Sequence, residues 1–263
     1  GWFSAAFLTQ LIRKQFKRFP ILQVFGQAGA GKSMTIILLN HLHYWENEPK
    51  QLSASGQTKF PILSALATSA SIPVVFEEVK ARQMNKASLD FLQTVLRGNY
   101  TGDDYARGTI DRTKSQSSLG VATYANAAPI TFVGEAIEDQ AAILERCVVV
   151  ALSVADRTGR SKQFSACLAD APRMGRLGKA LSMAAMTIDM ETLQDIVAGN
   201  FQDVSDQIEA AQVDAANRPA FNLAVTLTGL DLLKNTLQGV FGSRFDAKLD
   251  HLKHAILSDV SAC

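Results

Sequence analysis

The tightest constraint on this chain is a stretch near its start, Ile21 to Ser33, reading ILQVFGQAGAGKS. A short apolar run, Ile21 to Phe25, has the pattern of a buried strand, and an apolar helical run, Met34 to Leu39, follows. Between them stand Gly26, then Gln27, Ala28, Gly29 and Ala30, then Gly31, Lys32 and Ser33. This is the phosphate-binding loop pattern in the strand–loop–helix context it requires. The glycines let the backbone turn tightly and aim successive N–H groups at an anionic phosphate, and the following helix adds the positive end of its dipole. In such a loop Lys32 reaches the β- and γ-phosphates and Ser33 sets its hydroxyl on a magnesium ion. A glycine-rich turn that merely caps a helix is the plain alternative, and the correct context on both sides argues against it. Gly26 to Met34 are therefore the expected nucleotide contacts.

The second informative stretch is Ile72 to Lys80, IPVVFEEVK, an apolar strand ending in Glu77 and Glu78. Beside a phosphate loop, the first carboxylate of such a strand end holds the magnesium shell and the second polarises the attacking water. Glu77 and Glu78 are the candidates for those two roles. The usual first residue is Asp, and Glu is a methylene longer. The bland reading is an acidic first turn favoured by a helix dipole.

Composition sets the frame for these motifs. With 263 residues, 47% of them hydrophobic, the chain can bury one good core and a smaller second lobe. Lys plus Arg number 26 and Asp plus Glu 25, a net charge of +1, so any nucleic-acid binding must come from a local basic surface. Cys147, Cys167 and Cys263 have no metal-ligand spacing, which suits a reducing cytoplasm and argues against a disulfide framework. No apolar run approaches a membrane span. The opening Gly-Trp-Phe-Ser drops straight into a helical pattern, the expectation being a fragment of a larger protein.

Trp2 to Phe19 carries apolar residues at helical spacing with Arg13, Lys14, Lys17 and Arg18 between them, predicting a helix packed beside the nucleotide domain. A basic membrane-surface helix is its alternative. Helices are predicted over Lys32–Tyr44, Phe60–Ser69 and Lys86–Tyr100. A polar, loop-rich segment follows, and Gly108 to Tyr124 reads as a hairpin with Arg112 and Lys114 near its tip. Two readings of those basic residues stand level: contacts with a nucleic-acid backbone, or an ordinary solvated loop. Pro129 to Glu135 is a further buried strand ending at Gly134-Glu135. Arg146 enters the strand Cys147 to Leu152, a place from which an arginine reaches a neighbour's γ-phosphate. A structural ion pair with Glu145 or a neighbouring acid is the plain alternative.

Strands at Ile21–Phe25, Gln51–Ser55, Ile72–Glu77, Pro129–Gly134 and Cys147–Leu152, mostly separated by helical patterns, predict a five-stranded parallel α/β sheet with helices on both faces. The extra strand between the phosphate loop and the acidic strand favours an AAA+-like order. The boundaries expected are an N-terminal helix at 1–19, the core at 20–152, a linker at 153–162 and an all-helical lobe at 163–263. That lobe shows helical runs at Gln163–Ala171, Arg173–Met186, Met190–Val197, Val204–Ala216, Arg218–Phe241 and Phe245–Ile256. Gly229 and Gly239 interrupt the fifth, and Arg218 opens it within reach of a nucleotide. His41 with His43, and His251 with His254, lack the companions of a metal site.

FGQAGAGKS, IPVVFEEVK, LRGNYTGDDYARGT, APITFVGE and AAILERCVVV together resemble the helicase domains of phage and mobile-element primase–helicase proteins, P-loop NTPases related to the superfamily-3 and AAA+ ring helicases. The resemblance spans about Phe19 to Leu152. It implies ATP at Gly26 to Ser33, magnesium and water at Glu77 and Glu78, and Arg146 as a finger acting in trans. It further implies hexamers on single-stranded DNA, the Arg112–Lys114 hairpin in the central channel, a primase domain or subunit as companion, and a cytoplasmic setting, the host's if the protein is viral. The family's polar sensor at the fourth strand end is often Asn, where this chain has Gly134-Glu135. The leading expectation is an ATP-driven DNA helicase motor. Its rivals are a P-loop ATPase that remodels proteins or switches an assembly without moving on DNA, and a small-molecule kinase.

Overall fold

The computed structural model describes residues 1–44, 51–53, 59–77, 86–111, 118–135, 141–157, 159–213 and 217–259. Two short helices, α1 (Trp2–Ala5) and α2 (Thr9–Phe16), open the chain, joined by a 3-10 turn at Ala6–Leu8. α2 stops where Lys17 turns left-handed, φ 57°, and donates its N–H to Arg13 O. Then come β1 (Ile21–Phe25), α3 (Lys32–Asn40), β2 (Gln51–Ser53), α4 (Lys59–Thr68), β3 (Val74–Glu77) and α5 (Lys86–Thr101). An antiparallel hairpin follows, β4 (Tyr105–Asp111) with β5 (Ser118–Tyr124), and then β6 (Ile130–Gly134), α6 (Ala141–Leu144) and β7 (Cys147–Ala151). The remainder is helical: α7 (Val154–Arg157), α8 (Ser161–Ala169), α9 (Ala171–Thr187), α10 (Met190–Ala210), α11 (Asn217–Phe241) and α12 (Asp246–Asp259).

The main sheet runs β2-β3-β6-β1-β7, and every neighbouring pair is parallel. Parallel neighbours need crossovers, which bring helices onto both faces and make the strands nearly continuous in apolar residues. On one face Ile21, Phe76, Ile130 and Phe132 pack against Ile62, Leu63 and Leu66 of α4 and Phe91, Leu92 and Val95 of α5. On the other, Leu22, Val24, Val75 and Val133 share a core with Ile36 of α3, the N-terminal helices and α9 to α11. The parallel α/β layer and the helical C-terminal region agree with the sequence reading.

Several details differ from it. The N-terminal segment is not one helix lying beside the sheet. Trp2, Phe3, Leu8 and Ile12 are buried in the same core as Leu181, Leu193, Val197, Phe221 and Val225, so the segment joins sheet and helical lobe. α1 crosses α11 at Gly229, where a Cβ would stand 2.4 Å from Ala5 N. This glycine therefore serves a close approach and leaves α11 unbroken. The two helices expected between Met190 and Ala216 are one, α10, capped by Asp189, whose Oδ1 accepts from Thr192 N at 2.8 Å. The stretch read as an irregular linker holds α7 and the first two residues of α8. The hairpin begins at Tyr105, inside the segment expected to be loop.

Arg13, one of the four basic residues of the N-terminal segment, is a strut. Its Nη1 donates to Ala127 O at 2.5 Å and Asn126 O at 3.2 Å, and its Nη2 donates to Asn99 O at 2.6 Å. Burial lowers its guanidinium to about 10, and it stays charged at neutral pH.

Candidate functional site

β1 delivers the chain to the carboxyl edge of the sheet, and the loop from Gly26 to Gly31 turns it back into α3. Leu152 N donates to Phe25 O at 2.8 Å, holding the end of β7 against the loop's first residue. A Cβ on Gly26 would lie 1.9 Å from Leu152 O, so only glycine fits there. Gly29 and Gly31 have φ of 80° and 86°, in the left-handed region. No described atom stands within 4 Å of where their Cβ atoms would be. Gln27, Ala28 and Gly29 are exposed, whereas Ala30 is buried and donates its N–H to Gln27 O at 3.2 Å. The loop is thus anchored from below and open above.

α3 starts at Lys32 behind Gly31, and no side chain caps it. An uncapped helix start leaves N–H groups that an anion can accept from, reinforced by the helix dipole. Ser33 is half-buried in that first turn, and Met34 beside it is exposed. Lys32 Nζ donates to Gly26 O at 2.6 Å and Gln27 O at 2.9 Å, folding the lysine over its own loop.

Glu77 ends β3 opposite Val133 of β6, which is itself opposite Val24 of β1. Two strand spacings, about 10 Å, separate its backbone from β1, at the same edge of the sheet. Its Oε1 is shut off from solvent and has no hydrogen-bond partner among the described residues. A buried carboxylate oxygen with nothing to accept from is the kind of atom that fits a cation. Magnesium asks only one or two carboxylates, with phosphate and water for the rest, and Glu77 with Ser33 suits that. Among the described residues no cluster of three or more His, Cys, Asp or Glu side chains forms a metal cage. Glu135 is exposed one residue past β6, where Gly134 pairs with Phe25, so it stands next to the start of the loop. Glu78 lies outside the described residues.

Arg146 and Arg218 stand at the opposite edge. Ile21 N donates to Arg146 O at 3.0 Å, so the whole length of β1, roughly 16 Å, separates Arg146 from the Gly26–Gly31 loop of its own chain. Its side chain is 16% exposed; Nη1 donates to Ala142 O and to Glu145 Oε1, and the guanidinium lies 5.7 Å from the centre of the Tyr100 ring. Arg218 Nη1 donates to the same Glu145 oxygen at 2.5 Å. Arg218, expected near the nucleotide, thus sits beside Arg146, 73 residues away from its acidic partner in the chain. Burial raises the Tyr100 phenol, against the pull of Arg18, Arg218 and Arg146. Neither Glu145's double role nor the gathering of arginines around Tyr100 shows in the local sequence.

The base of the β4–β5 hairpin is fixed by Tyr105 against Phe91, 5.5 Å between centroids, and Tyr124 against Phe60, 6.2 Å. Its tip, with Arg112 and Lys114, lies outside the described residues. Among the described residues no helix is long and apolar enough to cross a membrane.

No family model matches the sequence, and no curated protein matches it. Among solved structures the chain is similar to one described as "SCCmec type IV Cch - active helicase", with a TM-score of 0.54 and 16% identity. The match covers 98% of this chain and 48% of that one, so the chain spans about half the length of that structure. At this identity the likeness is one of fold.

Proposed function

We propose that this chain is the motor of an ATP-dependent DNA helicase, working as a ring oligomer, a hexamer, on single-stranded DNA within a primase–helicase system. The observation that carries the reading is the phosphate loop: glycines open above, an uncapped helix start behind, and Lys32 over the cradle. The AAA+-like sheet order and the likeness in fold to a helicase support it.

In this reading the amides from Gly29 to Met34 bind the phosphates of ATP, and Lys32 exchanges its two loop carbonyls for phosphate oxygens. Ser33 and Glu77 hold magnesium, which when bound neutralises charge on the β- and γ-phosphate oxygens. Glu78 orients and deprotonates the attacking water, and Glu135 senses the γ-phosphate from the next strand. Arg146 cannot serve the nucleotide of its own chain across the sheet, so it serves the nucleotide of a neighbour, with Arg218 beside it. Arg112 and Lys114 meet the DNA backbone, and hydrolysis moves the hairpins along it.

ATP turnover measured with and without single-stranded DNA, together with mass in solution, tests this. DNA-stimulated turnover by a ring-sized species is the expected result. Turnover indifferent to DNA would favour a protein remodeler, and phosphate transfer to a small acceptor would favour a kinase.

A further inference from the structure

A charged cluster away from the phosphate loop gathers Arg146, Arg218 and Glu145 at the amino edge of the sheet. Two guanidinium groups converge on one carboxylate oxygen, at 3.1 Å from Arg146 and 2.5 Å from Arg218. One carboxylate cannot match two cations, so the pair keeps a positive charge to spare. A ligand with more negative charge and more acceptor oxygens than one carboxylate is therefore favoured there over Glu145. Arg218 and Glu145 are open to such an exchange, at 43% and 33% exposure, while Arg146, at 16%, reaches the surface only at its edge.

The backbone beneath them is fixed independently. Asn222 Nδ2 donates to Glu145 O at 3.0 Å and Cys147 O at 3.3 Å, and its Oδ1 accepts from the Tyr100 hydroxyl at 3.1 Å. α11 therefore holds the peptide carrying Glu145 and Arg146 still, and it also carries Arg218. The side chains can change partners without the strand or the helix moving.

We propose that Glu145 is a positioning residue: it parks Arg146 and Arg218 in the unassembled chain and yields them to the triphosphate bound by a neighbouring subunit. This rests on the ring reading above. Glu145 touches no reacting atom; it acts by competing with the phosphate for the same two guanidinium groups. It keeps the arginines folded against their own subunit until a charged nucleotide arrives, so that apposition of subunits without nucleotide gains little from them.

The test is Glu145→Gln, which keeps shape and an acceptor oxygen while removing the charge, with Glu145→Ala as a second variant. Two partly exposed pairs correspond to about a three- to tenfold fall in the ATP concentration giving half-maximal turnover, with kcat not lowered. Both variants should shift the same way. A half-saturating concentration that is unchanged or raised in both overturns the proposal. A fluorescent ATP analogue reads the same effect as affinity. In an Arg146→Ala/Arg218→Ala background, Glu145→Gln should leave that affinity unaltered, and an equal shift there also overturns it. Failure of the underlying reading looks different. Turnover of the parent chain that ignores subunit concentration and survives Lys32→Ala removes the ring motor itself, whereas turnover dependent on both but indifferent to Glu145 removes only this role.

Discussion

Lys32→Ala separates a lysine that serves a ligand from one that serves the fold. In the structure its ammonium has two described partners, Gly26 O and Gln27 O, both on the surface loop where water can replace it. Removing it should cost about 1 kcal/mol of stability or less, a fall in Tm of about 2–4 °C for a chain this long. Nucleotide binding should suffer more. Binding trades two lysine–carbonyl bonds for two lysine–phosphate contacts, each gross contact being worth about 1.5–3 kcal/mol. Since the carbonyl bonds, worth about 1 kcal/mol together, are given up, the net contribution is about 2–5 kcal/mol, or at least about 30-fold in ATP affinity. Thermal unfolding without ligand and titration with a fluorescent ATP analogue measure the two quantities on the same sample. ATP affinity within threefold of the parent, or a collapse of Tm, would refute the reasoning.

Four further outcomes are expected. Glu77→Gln should leave the Tm of the nucleotide-free protein unchanged or higher, because its Oε1 has no described partner to lose, while the gain in ATP affinity on adding magnesium shrinks; a lower Tm with magnesium dependence intact would contradict this. Arg146→Ala mixed with the parent chain should depress turnover below the average of the two proteins measured apart, and simple averaging would remove a role in trans. Arg13→Met leaves Asn99 O, Asn126 O and Ala127 O short of a donor and should cost about 2–4 kcal/mol in urea unfolding, against under 1 kcal/mol for an exposed surface cation. His43 is buried, its Nε2–H donating to Phe3 O at 2.9 Å, and burial pulls it down to about 3 from 6.5. The unfolded chain therefore takes up a proton below about pH 6.5 that the folded chain refuses until about pH 3, so stability falls as pH falls, by up to about 1.4 kcal/mol per unit; unfolding free energies between pH 7 and 5 should show this slope, and His43→Gln should lose it.

What could be read from the residues was what local chemistry dictates. The strand–loop–helix from Ile21 to Asn40, with its left-handed glycines, is legible because glycine spacing, strand and helix all lie within one short stretch. The buried strands are legible because a sheet covered on both faces demands continuous apolar runs. Tertiary partners were not. α10 looked like two helices because Asn200 interrupts its apolar stripe, yet Asn200 is 3% exposed and is satisfied by Asp231 at 2.7 Å and Thr228 at 3.3 Å. Gly229 looked like a break because the helix that crosses it comes from the other end of the chain. The anchoring of Arg13 left no trace in the sequence because its acceptors are carbonyls, which no sequence pattern marks. The pairing of Arg146 and Arg218 through Glu145 depends on α11 docking against the start of β7, a contact invisible at the level of spacing.

The central claim is that the loop from Gly26 to Ser33 grips a triphosphate, and a crystal structure grown with magnesium and a non-hydrolysable ATP analogue addresses it most directly. The account predicts the β- and γ-phosphates over Gly29 and Gly31, with Lys32 Nζ moved from Gly26 O and Gln27 O onto their oxygens. A loop without nucleotide at saturating analogue, with Lys32 still bonded to those two carbonyls, would contradict it.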